Sequence, residues 1–227
     1  MRILIVNPNS TASMTAKIAA AARLVARPDT RIVATNPPDT PPSIQGYLDA
    51  AVCVGGLLDE VRKAENYDAV VIACFDDTGV DALRCVVEVP VIGIGEAAYH
   101  AAAMVSTKFS VVTTLSRSIA GLEANLLRYG LDRRCGRVRA SDVPVLKLEE
   151  GDQSTIDRIR AEIAAAISED GAEAIVLGCA GMTDLMSRLS EEFGLPVIDG
   201  VACGVTMAEA LVASGLKTSK IRTYSLA

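Results

Sequence analysis

The sequence predicts an α/β protein of two pseudo-symmetric lobes, each a four-stranded parallel sheet flanked by helices, with the functional site in the cleft between them. Three observations carry this. Short apolar runs alternate with stretches of helical period along the whole chain, the pattern of strand–helix–strand units whose crossover helices must cover a parallel sheet. The alternation passes through four strands and then begins again. The two halves also match in detail: "YDAVVIACFDD" corresponds to "GAEAIVLGCAG", with Cys74 and Cys179 separated by 105 positions, and "VPVIG" corresponds to "LPVID" at a separation of 106. Asn7 in "ILIVNPNS" sits opposite Thr114 in "SVVTTLSR". An internal duplication accounts for all three matches.

Taken in order, "RILIVN" is the first strand, followed by a helix over 11–25; "RIVAT" precedes a helix over 46–64; "AVVIAC" precedes 77–87; and "PVIGI" precedes 95–105. The second half repeats the scheme with "FSVVTT" before 117–129, "RVRA" before 152–169, "AIVLGC" before 183–193 and "PVIDG" before 203–214. No long Gly/Ser linker separates the halves. The expected division is a first lobe of residues 1–95 with 207–227, the tail "KTSKIRTYSLA" returning to it, and a second lobe of 96–206. The Pro-rich segment "NPPDTPPSIQG", residues 36–46, suits a rim or lid over the cleft, because extended Pro backbone favours neither helix nor central strand.

Composition narrows the function classes. At 227 residues the chain fits one large α/β domain or two small ones. Half of it is hydrophobic, with few aromatics and no Trp, so Ala, Val, Ile and Leu must fill the core, as in parallel sheets covered on both faces. The formal charge of -6 argues against a nucleic-acid surface, which needs clustered Lys and Arg. "RRCGRVR", residues 133–139, reads as a solvated loop leading into a strand. The apolar run after Arg2 is too short for a secretory signal, and no stretch reaches the roughly 18 apolar residues of a membrane span. A cytoplasmic protein with no membrane partner is the expectation. Six scattered cysteines without a CxxC pair, beside a single histidine, His100, give no zinc pattern and no metal site. The glycines at 55–56 form no phosphate loop, since GxxxxGK[ST] is absent.

Cys74 and Cys179 each end an apolar strand at a strand-to-helix junction. There, unpaired N–H groups and the helix dipole favour a thiolate. Ligands of open parallel sheets lie beyond the carboxyl ends of the strands, so two duplicated cysteines reach one cleft from opposite sides. With no Lys or Arg in either motif and His100 elsewhere, a Cys–His nucleophile has little support. A pair of thiols suits racemisation: one thiolate removes a proton from carbon on one face, and the opposing thiol delivers a proton to the other. The two titrate as a coupled pair. The carbanion needs donors for its oxygen; candidates are the backbone N–H groups of Phe75, Asp76, Ala180 and Gly181 and the side chains of Asn7, Thr113 and Thr114. Asp76 and Asp77 are expected to cap the helix that follows them. Cys53, Cys85, Cys135 and Cys203 are expected in the core or half-buried, and His100 in a surface or packing role.

"IVNPNSTASMT", "ACFDDTG", "FSVVTT", and "VLGCAGM" followed by "PVIDG" together resemble the hydantoin racemase branch of the aspartate/glutamate racemase superfamily, which includes allantoin racemases. The resemblance runs over nearly the whole chain. It implies a cofactor-independent racemase acting on a small cyclic ureide, with Cys74 and Cys179 as the acid–base pair, assembled as a homo-oligomer. It further implies a substrate pocket lined by Asn7, Ser43, Ile44, Phe75, Thr113, Thr114, Ala180 and Gly181. Amino-acid racemases of the superfamily typically carry a "CNT"-like first motif and a "CTH"-like second one, where this chain has "CFD" and "CAG". Its decarboxylases usually keep one cysteine. Alternatives at this level are another reaction of the superfamily, such as amino-acid racemisation or maleate-type isomerisation, and a non-catalytic ligand-binding or thiol-sensing protein.

Overall fold

The computed structural model describes residues 1–150 and 152–226. Its first half runs β1 (Arg2–Val6), α1 (Ala12–Val25), β2 (Arg31–Thr35), α2 (Tyr47–Lys63), β3 (Ala69–Ile72), α3 (Val80–Val86), β4 (Val91–Gly93) and α4 (Ile94–Val105). The second half runs β5 (Phe109–Thr113), α5 (Ile119–Arg128), β6 (Cys135–Ala140), α6 (Gln153–Asp170), β7 (Ala174–Gly178), α7 (Met186–Phe193), β8 (Val197–Asp199) and α8 (Gly200–Ala213). The strand orders are β2-β1-β3-β4 and β6-β5-β7-β8, all pairs parallel. Two four-stranded sheets of the same order make the two lobes.

The local alternation of each strand decides which core it serves. In β1, Ile3 and Ile5 face a central core shared by both lobes, while Leu4 and Val6 face an outer core under α2 and α3. β7 does the same, with Ala174 and Val176 turned inward and Ile175 and Leu177 turned to an outer core under α6 and α7. Side chains of successive strand residues point to opposite faces, so a sheet covered on both sides needs apolar residues at every position. The central core joins the lobes through α4 and α8, which pack on each other. α4, which follows β4, reaches β7 of the other lobe, and α8 reaches back to β3. Close approach depends on small residues there: a Cβ at Gly200 would stand 2.6 Å from the Ile94 carbonyl oxygen.

The helix starts differ from the sequence expectation in an informative way. The third helix begins at Val80, because the chain between Cys74 and Gly79 forms a turn in which Asp77 (φ 53°) and Gly79 (φ 76°) take left-handed backbone. Neither acid caps that helix, contrary to expectation. Asp77 instead caps α4, accepting from the N–H groups of Gly95 (2.9 Å) and Glu96 (2.7 Å). In the second lobe the carboxylate that caps α8 comes from β8 itself, Asp199, which accepts from Ala202 N–H at 2.9 Å. The duplicated halves thus keep the capping charge and move its source.

"RRCGRVR" is likewise more than a solvated loop. Arg139 is 8% exposed and bonds both carboxylate oxygens of Asp170 (2.7 and 2.8 Å) and Glu169 (2.6 Å). Arg134 holds the last carbonyls of α4, at Ala103 and Ser106. The tail returns to the first lobe, where Thr218 bonds Glu88 and Val89 and Tyr224 bonds Asp81. The 36–46 segment straps the β1 end: Thr11 donates to the Pro42 carbonyl, and Thr40 to the Pro8 carbonyl. Arg117 of the second lobe donates to Gln45 at 2.7 Å, tying the strap across the cleft. Among the described residues, no helix is long and apolar enough to cross a membrane.

Candidate active site

The carboxyl ends of β1, β3, β5 and β7 converge on one cavity. Cys74, Phe75 and Asp76 line it from the first half of the chain and Gly178, Cys179 and Ala180 from the second; Thr113, Thr114, Asn9, Met14, Ile44, Ala73, Ser118 and Val145 complete it. Cys74 follows β3 and Cys179 follows β7, the corresponding third-paired strands of the two sheets. The duplication therefore brings one thiol from each lobe to a single cavity.

The two sulfurs have related surroundings. The Gly181 N–H points at Cys179 Sγ (3.4 Å), two residues along the chain. The Asp76 backbone N–H, also two residues along, acts on Cys74. Such N–H groups favour the thiolate. Around Cys74 they are outweighed: burial pushes its thiol well up, the neighbouring Asp76 carboxylate adds to the rise, and a contact with Thr78 Oγ1 at 3.5 Å opposes it. Asp76 is itself pushed up to about 6 by burial. Burial and the Asp76 carboxylate thus favour the neutral Cys74 thiol.

The turn that carries Cys74 is anchored by Asp77. Besides the two N–H groups at the start of α4, its carboxylate accepts from the Tyr129 hydroxyl at 2.8 Å. Burial pushes it up to about 7 against these donors. Asn125 adds a bond to the Asp76 carbonyl at 3.0 Å. Helices α4 and α5 thus hold the Cys74 turn from both sides. Gly93 and Gly95 make room for it, since a Cβ on either would run into Asp77 and, at Gly95, into the Phe75 carbonyl oxygen.

Of the residues singled out from sequence, Cys74, Cys179, Ile44, Phe75, Asp76, Thr113, Thr114 and Ala180 border the cavity. Three stand behind it. Asn7 is fully buried and bonds Asn9 and Thr15, so that Asn9 takes the place at the wall. Ser43 accepts from Gln45 within the strap. Gly181 spends its N–H on the Cys179 sulfur. Thr113 also has a committed hydroxyl, which donates to the Gly178 carbonyl at 3.0 Å. The N–H groups of Phe75 and Ala180 and the Thr114 hydroxyl have no hydrogen-bond partner among the described residues. They are the donors left for a ligand. Asn9, Met14, Ala73, Ser118, Val145 and Gly178 also border it and are not among the residues singled out from sequence. Asn9 could have been found in the "NPNS" turn, whereas Val145 belongs to a connecting segment with no motif. His100 packs beside the Tyr129 ring, 6.4 Å between centroids. Among the described residues no group of His, Cys, Asp and Glu could hold a metal ion.

A model of the Asp/Glu/hydantoin racemase family matches residues 3–208. The chain belongs to that family. The racemase is 52% identical over 227 residues to a hydantoin racemase of Rhizobium meliloti, covering 99% of this chain and 94% of the relative. It is 44% identical to one of Pseudomonas sp. strain NS671, covering 99% and 91%. Among solved structures, an allantoin racemase from Klebsiella pneumoniae superposes with a TM-score of 0.97 at 45% identity, covering 100% of this racemase and 94% of that chain. Lower-identity likeness, such as an aspartate racemase of Picrophilus torridus at 15% identity and a TM-score of 0.59, shows the shared fold.

Proposed function

We propose that this racemase inverts C5 of 5-monosubstituted hydantoins, allantoin included, by proton transfer between Cys74 and Cys179 without a cofactor. The observation that supports the reading is that both thiols, one from each lobe, border one cavity. The C5–H of a hydantoin is acidic because its conjugate base is an enolate delocalised onto ring carbonyl oxygen. A Cys179 thiolate takes that proton, the C5–H electrons pass into the enolate, and the free donors at Phe75, Ala180 and Thr114 stabilise the oxygen. Cys74, held protonated by burial and by Asp76, then gives its proton to the other face of C5. The stereocentre is inverted, and the thiol and thiolate have exchanged roles for the opposite enantiomer.

Two further features support a neutral ring over a free amino acid or dicarboxylate. No Lys, Arg or His borders the cavity among the described residues, and its one charged side chain is a carboxylate, Asp76. The named relatives act on hydantoins or allantoin.

The test is polarimetry of enantiopure 5-alkylhydantoins and of allantoin with purified protein and no additions. Rotation is expected to decay to zero from either enantiomer. Cys74→Ser and Cys179→Ser should each lose racemisation by about 10³-fold or more, while in deuterated water one enantiomer still exchanges its C5 proton without inverting. Racemisation at the wild-type rate in either variant refutes the two-thiol mechanism.

A further inference from the structure

A second cavity, of about 300 Å³, adjoins the thiol cavity. Its two sides come from different lobes: Ala50 and Val54 of α2 on one, Gly121 and Ala124 of α5 on the other. Asp76 and Ser118 line both cavities. Thr78, whose hydroxyl touches Cys74 Sγ at 3.5 Å, also lines the second one. Nothing in the proton-transfer chemistry uses this space.

Inversion makes a demand that the space meets. In a ring substrate the C5 hydrogen and the C5 substituent lie on opposite faces. As the carbon passes through the planar enolate, the substituent swings from one thiol's side to the other's. A pocket behind either cysteine would admit one enantiomer only. The pocket must open at the edge of the ring, between the lobes, and be broad enough for both positions. The cavity between α2 and α5 opens beside Asp76 and Thr78 and is walled by both lobes, with small and apolar side chains at Ala50, Val54, Gly121 and Ala124; the polar Arg117 and Asn125 that also line it are already bonded to Gln45 and to the Asp76 carbonyl.

We infer that this cavity receives the C5 substituent, and that Ala50, Val54, Gly121 and Ala124 set the size and polarity of the group accepted, favouring an apolar one. The inference rests on the hydantoin reading above and adds to it the place of the side chain.

The experiment measures kcat/KM for racemisation of 5-methylhydantoin and 5-benzylhydantoin by wild-type protein and by Ala50→Leu and Ala124→Phe. The quantity read is the benzyl-to-methyl ratio within each protein, so a loss of folded enzyme cancels. The wild-type ratio is expected above one, and each filled variant is expected to lower it about tenfold or more, the scale of a methylene or two excluded from an apolar pocket. A wild-type ratio below one overturns the inference and needs no variant to fold. So does a ratio unchanged in both variants while the wild type racemises both compounds. Failure of the wild type to racemise either compound, or allantoin, instead overturns the hydantoin reading and the inference with it.

Discussion

Gly95→Ala is expected to change the active site from a position that does not itself border it. Gly95 lies in the first turn of α4 at the point where the helix meets the Cys74 turn. An added Cβ would run into the Phe75 carbonyl oxygen and stand 2.8 Å from Asp77 Oδ2. Ordinary contacts begin about half an ångström further out, and the first of the two obstacles is backbone, so no side-chain rotation relieves it. Either α4 retreats from the lobe interface or the turn carrying Cys74 and Asp77 moves. Overpacking of this kind costs about 1–3 kcal/mol, and the upper end applies because the Gly95 and Glu96 N–H bonds to Asp77 stretch at the same time. A shift of about 1 Å in the turn carries Cys74 with it and lowers kcat about 100-fold. Urea unfolding measures the first quantity and polarimetry at saturating substrate the second. Gly55→Ala is the control: nothing lies within 4 Å of its Cβ, and an exposed glycine inside α2 should gain about 0.5–1 kcal/mol on replacement. Gly95→Ala within about 0.5 kcal/mol of wild type, the range of inert surface substitutions, with unaltered kcat, would refute the account of how the Cys74 turn is held.

Asp77→Asn leaves one of three donors facing an amide N–H₂, so stability is expected to fall by about 2 kcal/mol in urea unfolding; an unchanged midpoint would show that the turn does not depend on the carboxylate. Asp76→Asn removes a negative charge beside Cys74, which lowers the thiol pKa, so iodoacetamide should label Cys74 about threefold faster or more at fixed pH; mass spectrometry of the labelled peptide reads this, and an equal or slower rate contradicts it. Asp76 is protonated more readily when folded, near 6, than when unfolded, near 3.9. Its contribution to stability is therefore full below about pH 4 and lost as pH rises through 6, and Asp76→Asn should flatten that part of a stability profile. Arg139→Met strands the Asp170 carboxylate, 7% exposed at its side chain, and is expected to cost about 3 kcal/mol; a loss under about 1 kcal/mol in urea unfolding would show that the ion pair is effectively solvated.

The sequence alone determined the order and type of the elements, the twofold repeat, and the correspondence of Cys74 with Cys179 within that repeat, because all three are written in local periodicity and in self-similarity at a fixed separation. "AVVIAC" and "AIVLGC" are short, apolar and bounded by turn residues, which favours buried strands over helices, and a parallel sheet puts their ends on one side. The tertiary structure decided what each nearby donor does. Asn7, Ser43, Gly181 and the Thr113 hydroxyl looked equivalent to Phe75, Ala180 and Thr114 in the chain, but packing commits the first group to Asn9, Gln45, the Cys179 sulfur and the Gly178 carbonyl. Asp77 looked like a cap for the next helix and serves the one after it, because its left-handed backbone turns the carboxylate toward Gly95. Arg139 looked solvated until Asp170, at the far end of α6, came beside it. Each of these outcomes depends on a partner distant in sequence, and a hydrogen bond has no period from which that partner could be read.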